Sequence, residues 1–256
     1  MFNLKGKTAI VTGGNRGIGR GIARGFASAG ANIVIGDIAI GAEGAPDTPG
    51  KIKKDFKVET LGMKIDVRQE AENLEMVRRA QDTFGRIDIL VCNAGIGGGG
   101  ILPQDMSVAK WDEIQETNLR SFFIAAKAVY PIMKQRGGGK IISIGSITAI
   151  FGVGPFSAYG ASKGGVMQLT RGLAVQWAKD NIQVNCILPG WINTDLSVGA
   201  KKRTPGLEER VIARTPAGRW GEPEDLAGTA LFLAGGASDF VTGVAIPVDG
   251  GYAAQG

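Results

Sequence analysis

The sequence predicts an α/β fold: a doubly wound, mostly parallel sheet of seven strands with helices on both faces. Three observations predict it. Seven short β-branched runs recur along the chain, stretches with helical spacing lie between most of them, and the turn after the first run is rich in glycine. A (β/α)8 barrel of this length is the competing architecture. The glycine-rich first turn and the count of about seven strands favour the open sheet.

The elements follow in order. "KTAIVT" (7–12) reads as the first strand and runs into "TGGNRGIGRGIARGF", where Gly13, Gly17 and Gly19 mark a passage from strand to helix. "ANIVIG" (31–36) is the second strand, with Asp37 at its end. The stretch Gly41 to Gly50 reads as a turn-rich surface connection, which makes the second helix the weakest element. "TLGMKID" (60–66) and "IDILVCNAG" (87–95) are the next strands, and "GIGGGG" (95–100) is a short flexible loop. A long helix is expected from Trp111 to Met133, with Ile114, Asn118, Ala125 and Val129 on one stripe. "GKIISIGS" (139–146) is the fifth strand. It precedes a helix from Ser157 to Lys179, in which Val166, Leu169, Leu173 and Trp177 recur at helical intervals. "IQVNCIL" (182–188) and "GVAIPVD" (243–249) complete the sheet, and Pro223 with Glu222, Glu224 and Asp225 suits a helix start between them. No repeat or linker divides the 256 residues, so one domain is expected over 1–256.

Composition excludes several classes of function. Hydrophobic residues at 44% and charged residues at 21% are those of a globular chain rather than a disordered one. No apolar run reaches the roughly 18 residues a spanning helix needs. The opening "MFNLKGKTAIV" enters a strand pattern with no separable leader, so a soluble cytoplasmic protein is expected. The net charge of +5 is spread along the chain, and Lys51, Lys53, Lys54 and Lys201, Lys202, Arg203 read as solvated faces, so neither nucleic acid nor membrane is expected as a partner. Cys92 and Cys186 lie in apolar stretches without metal or redox spacing, and no metal site is expected.

The chain has no histidine, so proton transfer must come from other groups. Tyr159 and Lys163 are spaced i, i+4 on an expected helix and share one face. A free phenol has a pKa of about 10, and ionising it at neutral pH costs about 4 kcal/mol. A nearby ammonium favours the phenolate and brings the group toward acid–base work. The glycine turn lets backbone approach a phosphate, although it does not match the GxGxxG spacing. Asp37, at the end of the second strand, stands where a carboxylate can accept bonds from a cofactor's ribose.

In these motifs the chain resembles the short-chain dehydrogenase/reductase family over nearly its whole length. Thr12, Gly13, Gly17 and Gly19 match TGxxxGxG; Asn93, Ala94 and Gly95 match NAG; Tyr159 and Lys163 match YxxxK. Ser146, Asn118, "PGWINT" (189–194) and "VDGGY" (248–252) stand where the family has its other motifs. The resemblance implies a Rossmann-like fold and NAD(P)-dependent interconversion of a secondary alcohol and its ketone. Its catalytic set would be Asn118, Ser146, Tyr159 and Lys163. Tyr159 would exchange the proton, Ser146 would bond the substrate oxygen, and Asn118 would hold a water linking Lys163 to solvent. A structural role remains open for Asn118, whose stripe is apolar.

The resemblance implies dinucleotide contacts from Gly13, Asn15, Arg16, Gly17, Ile18 and Gly19 in the first turn, and from Asp37, Asp66 and Val67 after the next two strands. Asn93, Ala94 and Gly95 would add to them, with Tyr159 and Lys163, then Pro189, Gly190, Ile192 and Thr194. Asp37 favours NAD; Arg16 leaves NADP open. "RTPAGRWGEPEDL" (214–226) resembles the sugar-acid branch, which includes gluconate 5-dehydrogenase and 2-deoxygluconate 3-dehydrogenase. A polyol or sugar acid is therefore expected, with Lys201, Lys202 and Arg203 available to attract an anion. A 3-oxoacyl-carrier-protein or acetoacetyl-thioester reductase is the runner-up, and a non-catalytic dinucleotide sensor the alternative of another class. A homo-oligomer, with a tetramer favoured, is implied by the family.

Overall fold

β1 (Thr8–Thr12) is buried at every position, as a central parallel strand covered on both faces must be. The computed structural model describes residues 2–255 apart from the side chain of Arg203. β2 (Asn32–Asp37), β3 (Thr60–Lys64), β4 (Ile89–Cys92), β5 (Gly139–Ile144), β6 (Ile182–Pro189) and β7 (Ala245–Val248) join β1 in the order β3-β2-β1-β4-β5-β6-β7. Every pairing is parallel, so all seven expected strands are present in a doubly wound sheet.

Among the described residues the helices are α1 (Gly17–Ser28), α2 (Thr48–Phe56), α3 (Glu70–Phe84), α4 (Val108–Gln115), α5 (Ser121–Gln135), α6 (Ser157–Trp177), α7 (Asp195–Arg203), α8 (Leu207–Arg214) and α9 (Ala227–Ala234). Alternating strand residues send their side chains to opposite faces. Ile10, Val34, Leu90, Ile141 and Val184 meet Met76 of α3, Val129 of α5 and Val166 of α6 on one face. Val11, Ile33, Val91, Ile142 and Ile187 meet Phe26 of α1, Ile52 of α2 and Leu233 of α9 on the other. None of these helices is long and apolar enough to cross a membrane.

Two elements differ from the sequence reading. α2 starts inside the supposed turn-rich stretch, because Asp47 accepts a bond from the Gly50 N–H at 3.0 Å and Pro49 presets the first turn. The long helix from Trp111 to Met133 is interrupted by a π-turn at Glu116–Arg120, which carries Asn118 between α4 and α5. Such turns displace the helical ladder by one residue and are common at functional sites.

The strand order sets the position of the site. The chain steps outward from β1 to β3 and then returns to β4 on the other side of β1, and this reversal opens a crevice at the carboxyl ends of β1 and β4. The register places Thr12 opposite Cys92, so the turn at Gly13 lies beside Asn93. Gly13 has φ +63°, and a Cβ there would stand 2.8 Å from Ala94 Cα. A Cβ on Gly19 would run into the Gly13 carbonyl and the Asn93 amide. Backbone cannot swing aside as a side-chain end can. Gly19→Ala should therefore lower stability by about 1–3 kcal/mol, measured by urea denaturation of the protein without cofactor. Unchanged stability would show that the turn is loosely packed.

Candidate active site

The first turn of α1 is prepared for an anion. Its N-cap, Arg16, makes no side-chain capping bond, and no acidic residue lies in the first turn. The leading N–H groups of a helix lack internal partners and carry the positive end of the helix dipole. Asn93 fastens this turn: its Nδ2 donates to the carbonyls of Thr12 at 3.0 Å and Gly13 at 2.9 Å. Thr12 Oγ1 in turn accepts from the N–H groups of Asn93 and Ala94. The two glycine-containing motifs are thus one hydrogen-bonded unit.

Asp37 lies at the carboxyl end of β2, buried, with its carboxylate held by the N–H of Asn15 at 3.1 Å and of Ala39 at 2.9 Å. The geometry suits a fixed ribose acceptor. Asn15 itself turns inward: its Oδ1 accepts from the Thr48 N–H, and its carbonyl from the Thr48 hydroxyl, so its side chain serves the start of α2. Asp66 is engaged as well. The guanidinium of Arg68, 2.6 Å from its carboxylate, holds Asp66 below the usual carboxylate range, and Val67 beside it is buried. A cleft of about 670 Å³ gathers Arg16, Gly17 and Thr194 with Arg20, the loop 42–46 and Val198. This cleft lies at the Arg16 end rather than over Tyr159. Ile18 is half-buried at its margin in α1.

The acid–base residues converge at the ends of β4 and β5. Lys163, 4% exposed, donates from Nζ to the Ile144 carbonyl at 2.8 Å, and its ammonium lies 5.6 Å from the centre of the Tyr159 ring. Ser146, two residues beyond β5, is buried and accepts from the Thr148 N–H at 3.2 Å. A Cβ on Gly95 would lie 3.1 Å from Asn118 Oδ1 and 3.6 Å from Lys163 Nζ, so the NAG turn reaches the same place. Asn118 is fully bonded. It accepts from the Ile96 N–H at 2.8 Å and donates to the Ile96 carbonyl and to Ser162 Oγ, each at 3.0 Å. Ser162 Oγ donates to the Tyr159 carbonyl, which ties the π-turn to the first turns of α6.

The segment after β6 forms the outer wall. Ile192 pairs with Gly221, and Asn193 N–H donates to the Gly221 carbonyl at 2.8 Å, so the "PGWINT" loop is pinned to the "RWGEPEDL" segment. Pro189 closes β6, and Gly190 stands against Asp249, where a Cβ would be 2.6 Å from Asp249 Cβ. Thr194 and Ser197 make a capping box at the start of α7, and Glu222 and Asp225 another before α9. Lys201 is not a free anion trap: it bonds Glu208 at 2.8 Å and lies 4.1 Å above the Trp220 ring. Lys202 is exposed, and the Arg203 side chain lies outside the described residues. The sequence reading missed an aromatic group on this wall, in which Tyr252 lies 6.0 Å from Phe151 and 6.5 Å from Trp191. No spacing rule joins residues so far apart in sequence.

Residues 13–253 match a family model of short-chain dehydrogenases that is described as enoyl-(acyl carrier protein) reductase. The chain belongs to the short-chain dehydrogenase/reductase family. It is 40% identical, over 99% of this chain and 95% of the relative, to 2-dehydro-3-deoxy-D-gluconate 5-dehydrogenase of Formosa agariphila. A gluconate 5-dehydrogenase of Burkholderia cenocepacia J2315, solved in complex with NADP and tartrate, superposes with a TM-score of 0.92 at 37% identity, covering 100% of this chain and 98% of that one. A 7α-hydroxysteroid dehydrogenase complexed with NADH and 7-oxo glycochenodeoxycholic acid superposes at 0.89 with 36% identity, covering 98% and 95%. As a short-chain dehydrogenase/reductase, the protein is an NAD(P)-dependent oxidoreductase acting on CH–OH groups.

Burial dominates the electrostatics of the dehydrogenase site. Desolvation raises the Tyr159 phenol above its ordinary value, and the adjacent Ser146 hydroxyl draws it part of the way back. Tyr159 as a whole residue is half-buried at the start of α6. Burial, and not the expected pull of Lys163 toward phenolate, sets the direction. Desolvation also lowers Lys163 from 10.5 to about 8. Between those two values the folded protein binds fewer protons than the unfolded one, so stability rises with pH across that window. Below it, the buried ammonium costs on the order of 3 kcal/mol. Lys163→Met should therefore be more stable than the parent at pH 7, with the difference shrinking between pH 8 and 10.5 in urea denaturation. A pH-independent difference would refute this origin.

Proposed function

We infer that the protein oxidises a sugar acid or polyol at a secondary alcohol, with NAD as acceptor, and runs the reverse reduction at the same site. The observation that carries this reading is the convergence of Tyr159, Lys163, Ser146 and the Asn118 turn beside the glycine-lined crevice. The residues fit a dinucleotide. The open α1 N-terminus suits its phosphates, and the Asp37 carboxylate suits its ribose hydroxyls. When bound, that cofactor supplies the hydride acceptor. The chain's own residues manage the proton. In the reduction Tyr159 gives its proton to the ketone oxygen through a hydrogen bond; in the oxidation it must first lose that proton toward solvent by way of Lys163, and it then takes the proton of the alcohol through the same hydrogen bond. Ser146 bonds the same oxygen and stabilises the charge that develops there. Lys163 sets the field at the phenol; the Asn118 side chain is spent on Ile96 and Ser162, so the backbone of the π-turn, rather than that side chain, would hold a water on the path from Lys163 to solvent.

The preference for NAD rests on charge. A carboxylate fixed by two N–H groups at the end of β2 repels a 2′-phosphate, whereas Arg16 pairs with Asp195 of α7 at 3.4 Å across exposed surface. The sugar-acid reading is supported by the Formosa and Burkholderia relatives. The description of the family model keeps an acyl-thioester reductase as the second reading. We place the protein in the cytoplasm as one catalytic unit. A homotetramer is our reading of exposed apolar residues such as Val175 on α6 and Phe123 on α5.

A paired assay tests the function. NAD reduction with gluconate-type substrates should exceed NADPH oxidation with an acetoacetyl thioester, and catalytic efficiency should favour NAD over NADP at least tenfold. Tyr159→Phe should keep the fold and lose on the order of a hundredfold or more in turnover. Robust activity only with the thioester would replace the sugar-acid reading. Near-normal turnover in the phenylalanine variant would remove Tyr159 from the mechanism.

A further inference from the structure

We propose that Arg214 anchors the carboxylate of the substrate, an assignment that rests on the sugar-acid reading and adds the group that recognises its charge. Arg214 ends α8, and its guanidinium lies 4.5 Å from the centre of the Tyr252 ring and 5.5 Å from that of Phe151. Both rings belong to the walls of the reaction site. Phe151 lies just beyond the turn that begins at Ser146, and Tyr252 packs on Trp191, the neighbour of Gly190. The Ala217 N–H donates to the Gly250 carbonyl at 3.0 Å, so the end of α8 and the carboxyl-terminal segment are joined at this point.

The charge of Arg214 is uncommitted. Arg214 is exposed and among the described residues makes no salt bridge, as is also true of Arg210 on α8, whereas three other cations of the outer wall are paired: Lys201 with Glu208 at 2.8 Å, Arg219 with Asp225 at 2.7 Å, and Arg16 with Asp195 at 3.4 Å. Lys202 is exposed, and no ring fixes it among the described residues. A guanidinium held over ring faces satisfies none of its N–H donors there, so they stay available to a ligand. Its N–H edge matches a carboxylate with two parallel bonds. The same rings offer an apolar surface to the C–H face of a sugar chain. In this assignment a six-carbon sugar acid has its carboxylate on Arg214 and a secondary alcohol at Ser146 and Tyr159.

The test compares Arg214→Met and Arg214→Lys with the parent protein. Readouts are KM and kcat for D-gluconate and related six-carbon sugar acids, the change in tryptophan fluorescence on adding D-gluconate to the non-reacting complex with NADH, and NADH affinity. The methionine variant should show a KM at least tenfold higher and a matching loss of D-gluconate binding. Its kcat should stay within threefold and its NADH affinity within twofold. The lysine variant should recover part of the loss. If the parent responds to sugar acids and Arg214→Met keeps the same KM and binding, the anchor is wrong and the sugar-acid reading stands. If kcat and NADH affinity fall while KM rises, Arg214 is structural and the assignment is overturned. If the parent neither turns over nor binds any sugar acid, the sugar-acid reading fails and the anchor falls with it.

Discussion

The site depends on a buried ammonium. Lys163 reaches the end of β5 and donates to the Ile144 carbonyl, and no carboxylate accompanies it among the described residues. A charge in that position is costly, and the protein accommodates it with one backbone acceptor and the face of the Tyr159 ring. The contact fixes the rotation of α6 relative to the sheet. Through that rotation it also fixes where the phenol stands with respect to Ser146.

The remaining machinery is arranged around this point by the sheet. Parallel pairing brings the carboxyl ends of β1, β4, β5 and β6 to one edge, so residues distant in sequence become neighbours without long loops. Asn93 and Thr12 secure the glycine turn on one side of the crevice, and Asn118 secures the start of α6 on the other. The Asn93 Nδ2 is spent on two backbone carbonyls, and the Asn118 amide on Ile96 and Ser162. These asparagines position the reacting groups, and the reacting groups themselves are left to make contact with ligands.

Much of this was legible in the sequence, because α/β architecture writes itself in short apolar strands and in glycines where backbone must approach backbone. The strands and the crevice are of that kind; Tyr159 and Lys163 were legible as a pair from helical spacing, and Ser146 joined them only through the family resemblance. Other features depend on contacts that no local pattern encodes. The π-turn at Asn118 breaks a stripe that reads as regular helix, and the start of α2 depends on Asp47 and Asn15, which read as loop residues. The cation of Lys201 is cancelled by Glu208, and Arg214 finds Tyr252 only through the folded tail. The protonation of Tyr159 has the same origin. Helical spacing brings a cation near the phenol, but burial, a property of the whole fold, decides the balance.

The central claim is that the folded chain holds Tyr159 as a neutral proton donor, because burial and not the field of Lys163 sets the direction. The most direct measurement is an ultraviolet difference titration of the protein without cofactor, wild type against Tyr159→Phe, following the phenolate band. The account predicts that the Tyr159 signal is absent at pH 8 and emerges only above the ordinary phenol value of about 10. A Tyr159 phenolate already present at neutral pH would contradict it.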